Sequence, residues 1–383
     1  MRRNLGHHGL DMDTNLNENK KTKILAITGF EILVTRGTRL RVKRLLESLA
    51  ERSDIELRVV STDSISPISG AEHIQVKSGF FGAFFQIYKS LKKNKADVII
   101  GHTILSLKHL FLLRFLFKSK LFLEVHGFNA EEAYQDRSIG WFRYHLNRNI
   151  HKVLFYMCDL ITTSSPTATS IVSKYNKNSY TVFNSVDVDL FTPEVEPNFN
   201  FKENPDEIVI GYAGNTSEYQ GLAFLISSFK KLIVGNKKYK LALLLSNEQK
   251  GVIKRDGSIV TLGRIPHAEV PGFLASCDIL VVPRPDDPIC RISFPSKIIE
   301  YMAMGKPVLA SNVGDVGKIV KTGENGVLYS PGDETQFLEA IEVLSSPVCR
   351  FAIGLSARKT IVDTYTNTNT QNFFYSLVKS LTI

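Results

Sequence analysis

Two successive series of alternating strand and helix patterns constrain the fold of this chain more than any other feature. In the first series, short β-rich runs at residues 23–28 (KILAIT) and 55–61 (IELRVVS) flank a segment at 39–52 whose apolar residues repeat at helical spacing. The alternation resumes at residues 207–214 (EIVIGYAG) and continues to a helical segment at 334–346. Helices that separate strands at these lengths predict parallel β-α-β units, so we expect an α/β fold with two open sheets.

A change of composition separates the two series. Residues 195–207 (VEPNFNFKENPDE) are short of apolar residues and rich in proline, asparagine and acidic residues, which is typical of a linker. We therefore predict a disordered lead at 1–22, an N-terminal domain at 23–195, a linker at 196–207, a second domain at 208–355 and a C-terminal segment at 356–383. Ligands of such sheets bind outside the carboxyl ends of the strands, so a cleft between the domains is the expected site.

Composition narrows the functional classes. The net charge of +9 favours acidic small molecules, anionic lipid or nucleic acid as partners, although charge that only aids solubility is the simpler explanation. No stacking motif or reading helix is recognisable, so we do not expect nucleic acid. The four cysteines form no CxxC pair and have no histidine at metal spacing, which fits a reducing cytosol and argues against structural zinc.

Two segments could have indicated secretion or membrane insertion. The first 23 residues are polar throughout and do not resemble a secretory signal. The most apolar window, residues 107–125, is interrupted by Arg114, Lys118 and Lys120, so we predict no transmembrane helix.

The segment 294–311 (FPSKIIEYMAMGKPVLAS) predicts a short helix that begins near Pro295, ends at a glycine and precedes a strand. Ser296 and Lys297 lie at the helix start, where free N–H groups favour an anion, and Arg291 adds positive charge just before it. Glu300 follows one turn later and could accept hydrogen bonds from a sugar diol. This arrangement suits a sugar nucleotide, whereas a lone glutamate of this kind is more often an ordinary surface residue.

Several segments in a fixed order resemble retaining glycosyltransferases of family 4, which have the GT-B fold. These segments are residues 158–194, 209–232, 266–283 and 294–333; the resemblance covers about 122–331, and the first hundred residues match only in element order. The resemblance implies two Rossmann-like parallel-sheet domains that face each other across a cleft, with a nucleotide sugar bound by the second domain and a C-terminal segment that packs back on the first.

The donor site departs from the family pattern. The family carries two glutamates separated by seven residues; Glu300 matches the second, whereas the first falls on Ile292. The arginine and lysine that hold the diphosphate fall on Asn215 and Gln220. Either catalysis has been lost, or other residues have taken over the missing roles, which is our prediction: Arg284, Arg291 and Lys297 for the phosphates, and Asp286 or Asp287 for the sugar.

The first domain contributes two further candidates. His126 follows a strand end in EVHGF, and the resemblance implies that it touches the donor sugar near the reacting carbon; a core histidine is the alternative. Gly37 and Arg39, or Arg36, lie in TRGTRLR where the family has a glycine-rich loop near the donor phosphate and the acceptor. Arginines at the start of a basic helix are as often exposed to solvent.

An aromatic and basic stretch suggests contact with anionic lipid. Residues 79–95 contain four phenylalanines and four lysines: Phe80, Phe81, Phe84, Phe85, Lys89, Lys92, Lys93 and Lys95. This pattern suits an interfacial helix, and a helix whose phenylalanines pack inside the domain is at least as good an interpretation.

Together these features predict a cytoplasmic glycosyltransferase of cell-surface polysaccharide synthesis, peripheral at the inner face of the membrane if its acceptor is lipid-linked. It would transfer a sugar, with retention, from a UDP- or GDP-linked donor to a glycan or polyprenyl-linked acceptor. We expect no metal and no further cofactor. The alternatives are a catalytically silent sugar-nucleotide-binding or scaffold subunit and a nucleotide-sugar epimerase of the same fold.

Overall fold

A computed structural model describes residues 21–28, 36–61, 68–76, 80–102, 116–127, 134, 138–234, 236, 238–246 and 253–382. Within these residues the chain forms two sheets with helices on both faces, and the predicted α/β fold of two parallel-sheet domains is confirmed. The predicted lead lies outside the described residues up to position 20.

The first sheet has the strand order β3-β2-β1-β4-β5-β6-β7, and each described pair of neighbours is parallel. Its strands are β1 (Thr22–Thr28), β2 (Ile55–Ser61), β3 (Glu72–Gln75), β4 (Val98–His102), β5 (Lys120–Val125), β6 (Leu160–Thr163) and β7 (Ser179–Thr181). The helices that accompany it are α1 (Arg36–Ala50), α2 (Phe80–Lys93), α3 (Trp141–Met157) and α4 (Pro166–Val172).

The second sheet has the order β10-β11-β9-β8-β12-β13-β14, with only the β10–β11 pair antiparallel among the described strands. Its strands are β8 (Ile208–Gly214), β9 (Tyr239–Leu245), β10 (Ile253–Asp256), β11 (Ile259–Leu262), β12 (Ile279–Val282), β13 (Val308–Ser311) and β14 (Val327–Tyr329). The helices are α5 (Leu222–Leu232), α6 (Val270–Ala275), α7 (Pro288–Ile292), α8 (Lys297–Ala303), α9 (Val316–Ile319), α10 (Glu334–Val343), α11 (Pro347–Thr364) and α12 (Asn367–Ser380).

Each sheet is covered on both faces by its own hydrophobic core. In the first domain, α2, α3 and α4 pack on one face, whereas α1 and the C-terminal helix α12 pack on the other. Phe374 of α12 contacts Phe122 of β5, with ring centroids 5.1 Å apart. The last helix of the chain is therefore part of the first domain, although it follows the second domain in sequence.

Packed segments lie at two of the predicted domain boundaries. Phe199 and Phe201 lie in the segment expected to be a linker, and both rings pack on Phe273 of the second domain. Burial of these apolar rings stabilises the contact, although the residues around them in sequence are polar. At the other end, α11 runs through the predicted boundary at 355/356 to Thr364. The chain passes between the two domains twice, once near Val186 and once near Tyr365. These two segments lie side by side, and Val186 N donates to Tyr365 O at 3.1 Å.

A direct contact links the domains at the start of α4. The carboxylate of Asp315 accepts hydrogen bonds from Thr167 N and Thr167 Oγ1, both at 2.8 Å, and Ser165 Oγ donates to Ile292 O at 2.7 Å. Burial alone would raise the pKa of Asp315, but hydrogen bonds from Lys318 and Thr167 hold it below its ordinary value. A negative charge at a helix N-terminus is favourable, so this contact stabilises the observed domain arrangement.

The segment 294–311 folds as its sequence predicts. Helix α8 ends before Gly305, whose φ of 64° lies in the left-handed region that favours glycine, and β13 follows at once. Gly354 of α11 lies so close that an added Cβ would be 2.0 Å from Gly305 O. This close packing fixes the end of α8 against α11.

Among the described residues, no single helix is both long and apolar enough to cross a membrane. The bent pair α10 and α11 passes by length and composition only when taken together, with a 99° change of direction between the two helices.

Candidate functional site

A buried carboxylate, Glu124, organises the first-domain side of the cleft. It lies near the carboxyl end of β5, directly opposite His102 of β4, and is fully buried. His102 Nδ1 donates to Glu124 Oε2 at 2.6 Å, and Arg41 Nε of α1 donates to Glu124 Oε1 at 2.9 Å. Neighbouring parallel strands bring their ends to one edge, which is why residues 22 positions apart meet here.

His126 belongs to the same cluster. Its Nε2 lies 3.3 Å from Glu124 Oε2, and only 7% of its side chain is exposed. The rings of His102 and His126 are stacked, with centroids 6.1 Å apart and planes inclined by 16°. The structure thus places the predicted catalytic histidine against a carboxylate, at a strand end and on the expected side of the sheet.

The electrostatics of this cluster favour an ionised carboxylate. Burial opposes the charge of Glu124, but His126, Arg41 and the hydrogen bond from His102 outweigh it and hold its pKa well below the ordinary value. Burial lowers the pKa of His126, and the charge of Glu124 offsets only part of that effect. His126 therefore favours the neutral imidazole at neutral pH, a form that can both donate and accept a hydrogen bond.

The same three residues are the described group whose spacing would suit a metal ion. Donor atoms of His102, Glu124 and His126 all lie within 4.8 Å of one another. The guanidinium of Arg41, however, already neutralises the carboxylate, and its other nitrogens donate to Val182 O and Phe183 O at 2.8 Å. This donor set is better suited to a hydrogen-bonded ion cluster than to a cation, because a metal would have to compete with a fixed positive charge.

The expected phosphate loop begins as a helix. Gly37 lies in the first turn of α1, and Arg39 is exposed two residues later. The side chain of Arg36 lies outside the described residues. Arg41 and Arg44, one and two turns further along α1, line the cavity between the domains.

The second-domain side centres on Glu300 of α8. A small open cavity of about 40 Å³ lies between the domains and is lined by Glu300 and Ser296 together with residues of α1 and α12 and with Asn184 and Ser185. Ser296 adopts helical backbone angles, its hydroxyl makes no capping hydrogen bond, and the residue lines the cavity at the start of α8. Arg41 and Arg44 of α1 line the same cavity.

The negative charge of Glu300 is only weakly compensated by its neighbours. Burial raises its pKa to about 7, and the charges of Arg44 and Lys297 offset only part of that rise. Among the described residues, none donates a hydrogen bond to its carboxylate. A half-buried carboxylate in this state has acceptor capacity that a ligand hydroxyl could use.

Lys297 occupies the phosphate side of the predicted donor site. Its Nζ donates to Gln220 Oε1 at 2.8 Å and lies 4.4 Å from the ring centroid of Tyr212. Tyr212 in turn donates to Asn215 O at 2.7 Å, so the structure brings Lys297, Gln220 and Asn215 together after β8. Burial and the nearby charge of Arg284 lower the pKa of Lys297 to about 7.

The other predicted charges have structural partners. Arg284 is buried and donates to Ser293 O and Ser293 Oγ, both at 2.9 Å. Arg291 and Asp286 are exposed and form a bidentate pair with each other, at 2.6 and 2.8 Å. Asp287 caps α7 by accepting from Cys290 N at 2.9 Å.

Ile292 lies at a contact between the domains. Its side chain is partly buried against the hydrophobic core of the first domain. Its carbonyl also accepts the hydrogen bond from Ser165 Oγ. The residue expected to correspond to a donor-site glutamate therefore makes an apolar contact between the domains.

Sequence reasoning missed Glu124, His102, Arg41 and Arg44. One signal was available: Glu124 is an ionisable residue in the apolar strand LFLEV, and such a residue needs a buried partner. The partners themselves come from other elements and could not be read from local sequence.

The aromatic stretch is only partly exposed. Ile87 and Leu91 of α2 are buried, and Phe84 and Tyr88 pack against the same core, whereas Phe85, Lys89, Lys92 and Lys93 are exposed, as is Lys95 beyond the helix. The side chains of Phe80 and Phe81 lie outside the described residues. Contact of α2 with lipid stays a prediction.

Part of this chain is similar in sequence to known glycosyltransferases. Residues 207–346 match the family model described as "Glycosyl transferases group 1". An uncharacterized glycosyltransferase of Methanocaldococcus jannaschii is 28% identical over 199 residues, which is 49% of this chain and 52% of the relative. A capsular polysaccharide biosynthesis glycosyltransferase of Staphylococcus aureus is 27% identical over 176 residues, 42% of this chain and 43% of the relative. The chain thus spans about half the length of these curated relatives.

Solved structures match over nearly the whole chain. Sucrose-phosphate synthase from Thermosynechococcus elongatus superposes with a TM-score of 0.74 at 17% identity, covering 94% of this chain and 99% of that one. Anabaena HepE, solved in complex with UDP-glucose, superposes with a TM-score of 0.72 at 16% identity, covering 94% and 99%. The overall fold is therefore GT-B, with two α/β domains.

Proposed function

We propose that this protein is a retaining glycosyltransferase that transfers a sugar from a nucleotide sugar to a glycan or lipid-linked acceptor in cell-surface polysaccharide synthesis. The observation that carries the proposal is the position of Glu300: within the segment that matches the group 1 glycosyltransferase model, its half-buried carboxylate lines the cavity between the domains. The relative that acts in capsular polysaccharide biosynthesis and the neighbour solved with UDP-glucose support the substrate class.

In this proposal the second domain binds the nucleotide. Glu300 accepts hydrogen bonds from the ribose diol, and Lys297 and Arg44 supply positive charge toward the diphosphate. Protein cations that stabilise a leaving diphosphate act without reorganisation when the charge develops. A UDP- or GDP-linked donor is expected, with no metal and no additional cofactor.

His126 acts in this proposal at the reacting sugar. The bond between the anomeric carbon and the diphosphate oxygen breaks, and a bond to the acceptor oxygen forms on the same face. The acceptor proton passes to the departing diphosphate. His126, held by Glu124, positions the sugar through a hydrogen bond, and such positioning lowers the barrier by fixing the geometry of attack.

The proposed acceptor determines where the protein would act. A polyprenyl-linked acceptor would bring the protein to the cytoplasmic face of a membrane, and the net charge of +9 favours an anionic surface.

A catalytically silent nucleotide-binding subunit is the second candidate. Asn215, Gln220 and Ile292 stand where the family has charged residues, and the structure engages Gln220 with Lys297 and Ile292 with the first domain. A silent subunit would keep nucleotide affinity but show no transfer. The epimerase alternative has less support, because Asp286 and Asp287 are engaged with Arg291 and the α7 cap.

Calorimetric titration of the purified protein with UDP, GDP and ADP, with and without magnesium, tests the proposal. We expect one nucleotide to bind and the Glu300→Ala variant to bind it more weakly. Nucleotide binding accompanied by slow hydrolysis of the matching nucleotide sugar would support an active transferase. Absence of binding by all three nucleotides would contradict a working donor site.

A further inference from the structure

Helix α3 exposes one continuous apolar face. Its apolar side chains that point outward are between 36% and 76% exposed: Trp141, Phe142, Leu146, Ile150, Val153 and Tyr156. At 100° per residue, all of them except Trp141 fall within an arc of about 120°. The opposite side of the helix, with His151, Leu154 and Phe155, is buried against the sheet.

The charges on this helix are of one sign. Arg143 borders the apolar face on one side, Arg148 and Lys152 border it on the other, and the helix contains no acidic residue. An exposed apolar face of this extent is unusual on a protein surface and indicates a binding partner. The flanking positive charges indicate that the partner is anionic.

The neighbouring helix extends this surface. Helices α2 and α3 pack on the same face of the first sheet, since Ile87 and Leu91 of α2 share a core with Leu154 and Phe155 of α3. The exposed lysines of α2 and exposed Phe85 therefore lie on the same side of the domain as the α3 face.

We propose that the exposed face of α3 docks on an anionic lipid bilayer, with its apolar side chains at the headgroup boundary and its flanking cations among the headgroups. An amphipathic helix with a basic border lies in the interface plane in this manner. Trp141 at the start of α3 and Tyr156 near its end are both exposed, and aromatic rings of this type favour the membrane interface.

A second copy of this chain fits the surface less well. A two-fold contact through α3 would place two sets of three positive charges in one interface, with no acidic residue on either helix to compensate them. The bilayer avoids this repulsion because its headgroups carry the opposite charge.

The inference rests on the proposed function only in that a lipid-linked acceptor would be reached from this surface. Its test uses no sugar nucleotide, so failure of docking and failure of transfer are measured separately.

The chain has a built-in probe for the experiment. Trp141, at the start of α3, is its single tryptophan. With vesicles of phosphatidylglycerol and phosphatidylcholine in equal parts, we expect the full-length protein to sediment and the emission of Trp141 to shift to the blue. Pure phosphatidylcholine vesicles should give weaker binding, because they lack the headgroup charge.

Two double variants separate the contributions of charge and apolar contact. Replacement of Arg143 and Lys152 by Gln should weaken binding by about 20- to 30-fold, at about fivefold for each charge near the surface. Phe142→Ser with Val153→Ser should weaken it at least about tenfold by removing apolar insertion. The matched control, Phe351→Ser with Leu355→Ser, removes exposed apolar residues from α11 of the second domain and should bind normally.

The outcomes are decisive. Sedimentation without any change in Trp141 emission, equal losses in the α11 control, or loss of binding only in a Lys92→Glu and Lys93→Glu variant of α2 would overturn docking through α3. So would light scattering that shows a dimer which the Phe142 and Val153 variant converts to monomer without vesicle binding by wild type.

Discussion

Glu124 and Glu300 are both withdrawn from solvent beside the cleft, one in each domain, and their environments are opposite. Glu124 has a cation, two imidazoles and short hydrogen bonds around it, and its pKa lies well below the ordinary value. Glu300 has only charges at longer range, and burial raises its pKa to about 7. The first carboxylate is satisfied within the protein, whereas the second is left with unused acceptor capacity.

This difference indicates that the two carboxylates have different roles, one in positioning a side chain and one in binding a ligand. A buried carboxylate that is engaged by several neighbours fixes their positions, so Glu124 is suited to hold His126, 3.3 Å away, in one orientation. An under-compensated carboxylate is stabilised by any ligand that donates to it, so Glu300 is suited to bind a hydroxyl. The following experiments, in order of expected effect, would break or sharpen this contrast.

Glu124→Gln should give the largest loss of stability, about 3–5 kcal/mol, because it leaves Arg41 and the imidazoles buried without their counter-charge. Urea denaturation measures the free energy of unfolding. Glu56→Gln is the matched control, since Glu56 is a partly exposed carboxylate 4.0 Å from Lys23 and should change stability by less than about 1 kcal/mol. Equal midpoints for the two variants would contradict the buried cluster.

His126→Ala should lower turnover about 100-fold and leave the dissociation constant of the nucleotide within about twofold, because its proposed contact is with the reacting sugar. Turnover of a nucleotide sugar and calorimetric nucleotide affinity are the two measurements. His145→Ala, on the outer side of α3, should change neither. Parallel losses of turnover and nucleotide affinity would place His126 in the nucleotide site instead.

Glu300→Gln should weaken nucleotide binding about tenfold by replacing a charged acceptor with a neutral one. In contrast to Glu124→Gln, it should leave stability at neutral pH unchanged or slightly higher, because burial disfavours the Glu300 carboxylate in the folded state. Calorimetry and urea denaturation measure the two effects. A stability loss like that of Glu124→Gln would mean that Glu300 has a structural role.

The smallest expected effect is a pH dependence of nucleotide affinity with a maximum near pH 7. As pH falls below 7, Glu300 becomes protonated and loses acceptor capacity; as pH rises above 7, Lys297 becomes neutral and its attraction for phosphate fades. Each limb should change affinity by at most about tenfold per pH unit.

Two variants separate the acid and alkaline limbs of the pH profile. Glu300→Gln should remove the part of the acid limb that is due to the protein. Lys297→Met should remove the part of the alkaline limb that is due to the protein. Titration of the nucleotide phosphate is common to both variants and cancels in their comparison. A profile that neither substitution alters would exclude both groups as its source.

The sequence predicted helices and strands best where residues close together along the chain determine the local structure. Pro295 and Gly305 bounded helix α8, and apolar runs located most strands of both sheets. The short edge strands β3 and β10 lack such runs and were missed. Local sequence also gave no sign of the packing of Phe199 and Phe201, because they contact a buried surface that lies more than 70 residues further along the chain.

The sequence by itself determined two α/β domains, the position of helix α8 and the identity of Glu300 and His126 as candidates, because periodicity and local turn chemistry act between near neighbours. Only the tertiary structure decided that Arg41 and His102 surround Glu124, that Ile292 closes an interdomain contact, and that one face of α3 is left uncovered. These depend on which strand ends and helices meet, and such contacts join residues that are tens of positions apart and leave no local pattern.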